Sequence, residues 1–135
     1  MFKKIHVFRI KPKLELMAEI VSYCRKHNIT SGVVLGIIGS LEKARLNFVQ
    51  ELPARFDSVD YDGPLEIVCA QGSIALKDEE MIAHVHMQIS SKEMSRGGHL
   101  AEATIMSTAE VVIGELDIQI HRQFDSYTGL NELSD

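Results

Sequence analysis

At 135 residues, with 45% apolar content, no tryptophan and a formal net charge of −5, the chain has the makings of one domain, residues 1–135, with a core that needs no disulfide. Scattered basic residues in an acidic chain argue against a surface built to neutralise phosphates, which is how proteins hold nucleic acid tightly. No apolar run approaches the roughly 18 residues of a membrane span and Met1-Phe2-Lys3-Lys4-Ile5 opens no signal-peptide core, so the expectation is a cytoplasmic protein without membrane contact.

Ile5 to Ile10 alternates as a first strand, and Lys11-Pro12-Lys13 ends it. From Leu14 to His27 the period changes. Leu14, Met17, Val21 and Cys24 form a helical stripe, broadened by Leu16, Ile20 and Tyr23. Glu15 and Glu19 suit the positive end of that helix, Arg25-Lys26-His27 its negative end, and Asn28 a left-handed stop. Gly32 to Ile38 reads as a buried strand turned by Gly39-Ser40, and Ala44, Leu46 and Phe48 mark the next. Pro53 to Pro64, rich in aspartate, has the composition of a loop. Leu65, Ile67 and Cys69 alternate in a further strand, and a turn near Lys77-Asp78-Glu79-Glu80 follows. Ser90 to Gly98 reads as a loop or widened hairpin. Thr104 to Ile113 suits either period and is assigned to a strand, and Leu116, Ile118 and Ile120 give a last one. One principal helix with about seven strands predicts an α+β (α/β) domain on a largely antiparallel sheet. Cys24 and Cys69 fall inside these elements and read as reduced core thiols.

The most informative stretch is Met81 to Ile89. Met81, Ala83, Val85, Met87 and Ile89 alternate with Ile82, His84, His86 and Gln88, the period of a half-buried strand. His84 and His86 therefore leave one face side by side, their Cα atoms about 7 Å apart. A third imidazole, His99 in Gly97-Gly98-His99-Leu100, completes a three-nitrogen set for a zinc-like ion if the glycines turn it back toward that strand. The alternative is a solvated or cross-strand-paired histidine face. His6, His27 and His121 have no partner in sequence and read as surface or packing residues.

Several blocks recur in one order over essentially the whole chain. They are Gly36-Ile37-Ile38-Gly39-Ser40-Leu41-Glu42-Lys43-Ala44, Gly63-Pro64-Leu65-Glu66-Ile67 with Gly72-Ser73-Ile74, His84-Val85-His86, Gly97-Gly98-His99-Leu100, Thr108-Ala109-Glu110-Val111-Val112-Ile113, and Arg122-Gln123-Phe124-Asp125 with Thr128-Gly129 and Leu133. Together they resemble the free-standing prokaryotic type of the plants-and-prokaryotes-conserved (PPC) domain. That resemblance implies a sheet-based fold with one main helix, a homotrimer, and a metal, zinc above all, on His84, His86 and His99. In plants the domain follows an Arg-Gly-Arg-Pro element that enters the minor groove, and a Gly-Arg-Phe-Glu-Ile-Leu segment contacts partner proteins. Here no Arg-Gly-Arg-Pro occurs, and the second segment reads Gly63-Pro64-Leu65-Glu66-Ile67-Val68.

Three protein nitrogens leave a zinc ion one open position, the pattern of catalytic rather than closed structural sites. Supporting groups would be Glu66, Glu110 and Arg122. The two glutamates read equally well as exposed strand residues, and Arg122 as a structural partner of Asp125 rather than an anion ligand. Gly97-Gly98 lacks the context of a phosphate loop, and no nucleophile triad is supported. Two expectations follow. One is a zinc-binding homotrimeric module that recognises DNA or a protein partner. The other is a small zinc-dependent hydrolase or lyase.

Overall fold

Three strands of twenty residues or more organise the molecule. The structure, a computed structural model, describes residues 1–134. Its elements are β1 (Phe2–Ile10), α1 (Leu16–Lys26), β2 (Gly32–Glu51), β3 (Arg55–Lys77), β4 (Glu80–Ser90), β5 (Ser95–Leu116), β6 (His121–Asp125) and β7 (Leu130–Leu133). The long strands β2, β3 and β5 bend and change partners along their length, with register shifts near Gly39–Leu41 and Leu41–Lys43. β2 pairs with β3, β3 with β4, β4 with β5, and β5 returns to β2, so four antiparallel strands close a circuit. β1 extends the sheet beyond β5, and β6 joins the end of β3 in parallel through Leu76↔His121 and Lys77↔Arg122. The fold is thus mostly β, with one eleven-residue helix, rather than a balanced α+β domain.

That helix forms where its period places it. Glu15 caps it, its carboxylate accepting from the Met17 and Ala18 N–H groups, and the same side chain accepts from the Ala103 N–H of β5. At the other end Asn28 adopts φ 55°, and the Ile29 and Asn28 N–H groups reach the Cys24 and Arg25 carbonyls, a Schellman stop. The buried stripe is Leu16, Ile20 and Cys24, while Leu14 stays partly exposed. Their burial against the sheet is worth on the order of 5 kcal/mol. No described helix is long and apolar enough to cross a membrane.

Four expectations fail for physical reasons. Pro53–Pro64 is not a loop. Beyond the Leu52-Pro53-Ala54 connection it is strand, paired with β2 from Glu51↔Arg55 to Lys43↔Asp62. This arm is solvated on both faces, so its polar composition hides its extended backbone. Gly39-Ser40 does not turn β2 back but lies in its bend, where a Cβ on Gly39 would stand 2.0 Å from the Thr108 carbonyl oxygen. The strand expected over Leu116–Ile120 stops at Leu116. The Ser31 hydroxyl donates to the Ile118 carbonyl and accepts from the Ile120 N–H, holding a bend there. Cys24 is a free, buried thiol as expected, but Cys69 is exposed on β3.

Candidate metal centre

The histidines are placed by two neighbouring strands. On β4, Val85, Met87 and Ile89 point into the core, leaving His84 half-buried and His86 exposed on the opposite face. The connection to β5 is the tight turn Ser91–Met94, in which the Ser91 hydroxyl accepts from the Glu93 and Met94 N–H groups. β5 begins at Ser95, so Gly97 and Gly98 lie within a strand and form no turn. Register brings His99 directly opposite His86. Gly97 leaves room for the Gln88 side chain, and Gly72 of β3 lets β4 approach, since a Cβ there would lie 2.0 Å from the His84 carbonyl oxygen.

The three rings form a triangle. Their centroids are 5.0 Å apart for His84–His86, 5.0 Å for His84–His99 and 5.5 Å for His86–His99. One nitrogen from each lies within 4.8 Å of the others. Ligands at about 2.0–2.1 Å from a tetrahedral zinc stand roughly 3.4 Å apart, a difference that modest ring rotation closes. Burial, then the neighbouring His99, Arg122 and His86, push the His84 imidazole down to about 4. Burial and the neighbouring His86 lower His99 as well. Both shifts favour the uncharged imidazole, the form that can ligate a metal. The donor set fits a zinc-like ion.

Arg122 enters the site from β6. It is 7% exposed, donating through Nη1 to the Asn131 carbonyl at 2.9 Å and through Nη2 to Ser73 Oγ at 2.8 Å. The same Nη2 stands 3.3 Å from His84 Nδ1. Ser73 faces His84 across the β3–β4 ladder, which explains how β6, docked on β3, reaches the histidines. The expected partner Asp125 is engaged elsewhere, capping the Tyr127 and Thr128 N–H groups. Burial lowers the guanidinium from its ordinary value.

Neither candidate glutamate joins the cluster. Glu66 pairs with Ser90, four residues past His86 and so about 13 Å along the strand. Glu110 lies at the far end of β5, opposite Arg9 and Ile38. His27 and His121 are exposed, and His6 is buried in a separate cluster with Tyr23 and Glu115. Ser73 carried no signal of its own in the sequence, since a strand serine is commonplace.

No curated protein matches the chain in sequence. Solved structures share its fold. A metal-containing protein from Archaeoglobus fulgidus is 21% identical with a TM-score of 0.90, covering 100% of this chain and 96% of its own. A plant- and prokaryote-conserved (PPC) protein from Pyrococcus horikoshii is 23% identical with a TM-score of 0.89, covering 100% and 94%. A candidate DNA-binding protein from Bacteroides thetaiotaomicron is 22% identical with a TM-score of 0.91, covering 99% and 96%. The family model of the Plants and Prokaryotes Conserved (PCC) domain matches residues 1–117, and the chain belongs to that family.

Proposed function

We propose that His84, His86 and His99 hold a zinc ion, and that the chain acts as a cytoplasmic, homotrimeric zinc-binding module that recognises a DNA or protein partner. One observation carries the metal: three imidazole nitrogens from two strands converge within 4.8 Å. A metal-containing structural relative adds weight. The trimer draws support from the outward positions of the sheet, where Val7, Ile38 and Val68 are 68%, 69% and 58% exposed, an apolar face suited to a second copy. A candidate DNA-binding relative supports DNA as the partner. The net charge of −5 favours protein.

Exposure of His86 favours a second reading, a small zinc-dependent hydrolase or lyase. It leaves one side of the cluster open to a ligand. Bound zinc would supply a Lewis acid and lower the pKa of a coordinated water. His84 and His99 would hold it from the drier side, with Gly72 keeping β4 in register. Elemental analysis of protein purified without added metal or a metal-affinity tag tests both readings. Near-stoichiometric zinc that disappears in His84→Ala and His99→Ala is expected, and occupancy surviving both substitutions overturns the site. Mobility shift with random duplex DNA across a salt series separates the partners. Salt-sensitive binding at physiological ionic strength selects DNA.

A further inference from the structure

We infer that the open position of the histidine centre takes a small carboxylate, gripped by the side-on edge of the Arg122 guanidinium. The inference rests on the zinc reading above. Arg122 is a permanent cation, since guanidinium does not lose its proton in proteins. It is 93% buried by the complement of its 7% exposure, yet its partners are a carbonyl, a hydroxyl and an imidazole, all uncharged. Among the described residues no carboxylate oxygen comes within ion-pair range of it, and its Nε–H is buried with no acceptor at all. Buried charges are ordinarily answered by a counter-charge. Among the described residues Glu132 on β7 answers this one only from a distance, with no direct ion pair.

Arg45 shows the same group satisfied. Its Nε and Nη2 donate side by side to Oδ1 and Oδ2 of Asp60, at 2.8 and 3.2 Å. The equivalent edge of Arg122, Nε and Nη2, faces no such group, and His84 stands beside it. Zinc ligation would tighten the demand. If His84 ligates through Nδ1, that lone pair can no longer accept from Nη2. If it ligates through Nε2, Nδ1 carries the proton and two donors face each other. Either way the Nη2–His84 contact loses its acceptor, and a dication arrives next to a guanidinium. A carboxylate resolves both. Its two oxygens match two parallel N–H donors, and its charge offsets the local excess. Inorganic phosphate, which the same fork can take through two oxygens, is the competing anion.

The test uses the full chain loaded with cobalt(II) in place of zinc, whose visible absorption bands report its ligands. Acetate, acetamide and inorganic phosphate are titrated in turn. Acetate is expected to shift the bands, to bind more tightly than either alternative, and to weaken at least about tenfold in Arg122→Gln, with Arg122→Lys in between. Acetate no better than acetamide, phosphate tighter than acetate, or unchanged acetate binding in a folded Arg122→Gln overturns the inference. If Arg122→Gln fails to fold, the three ligands on the wild type decide it alone. A wild type that takes up no cobalt sinks the zinc reading and this inference together, whereas cobalt bands indifferent to anions sink only the carboxylate.

Discussion

The molecule contains two histidine clusters, and they are built on opposite plans. In the first, His6 is 5% exposed and both ring nitrogens are answered within the chain, Nε2 by Glu115 at 2.9 Å and Nδ1 by the Tyr23 hydroxyl at 3.3 Å. Tyr23 stacks on Phe8 and His27, and the hydrogen bond from His6, with Lys3 behind it, holds the Glu115 carboxyl below its usual range. In the second, the nitrogens of His84, His86 and His99 face one another, and the nearest charged neighbour is a cation. What separates a structural histidine from a ligand-seeking one is its complement of partners.

The comparison breaks most decisively on metal. His84→Ala or His99→Ala should weaken zinc binding by more than about 100-fold, beyond what losing an outer-shell partner costs. His6→Ala should leave metal content untouched, and elemental analysis of the three variants reads the contrast. Next comes Gly72→Ala, whose new Cβ collides with the His84 carbonyl. A loss of about 3 kcal/mol in denaturant unfolding is expected, together with weaker zinc uptake, while an unchanged midpoint would mean that β4 yields freely. His6→Ala should itself cost about 2–3 kcal/mol, because it deletes a buried hydrogen-bonded ring and leaves Glu115 short of a donor. His86→Ala, on an exposed ring, should cost little.

The smallest effect is a pH dependence of the metal-free protein. Above pH 6.5 His84 is neutral folded or unfolded and adds no slope. Between there and its folded value of about 4, the unfolded chain takes a proton that the native site refuses, so stability falls as the pH drops. Half-burial and solvent screening bring the loss to about 1–2 kcal/mol. Urea unfolding at pH 7.5 and pH 4.5 should show it, and it should shrink in His84→Ala.

What could be read in advance follows the same division between local and distant causes. The α1 helix, the stop at Asn28 and the alternation through His84 and His86 are local patterns that the structure repeats. The helix's buried face is on Leu16, Ile20 and Cys24 rather than Leu14, Met17 and Val21. His99 was within reach because a short turn returns β5 alongside β4. Arg122 was not. Its place beside His84 depends on a parallel pairing of β6 with β3 that no local spacing announces, and adjacency to Asp125 in sequence suggested the wrong partner. The arm from Arg55 to Asp62 misleads for a related reason. A stretch solvated on both faces has no alternation to show, and its backbone ladder with β2 holds it instead.

One consequence follows from how β6 is attached. The circuit of β2 to β5 closes around Val85, Met87 and Ile89 without it and carries the histidines on its outer side. Two register pairs tie the hairpin of β6 and β7 to that circuit. The imidazole triangle thus rests on the closed circuit alone, whereas the positive charge beside it arrives on a separately docked hairpin. A change in how that hairpin docks on β3 would move the cation while leaving the metal seat in place.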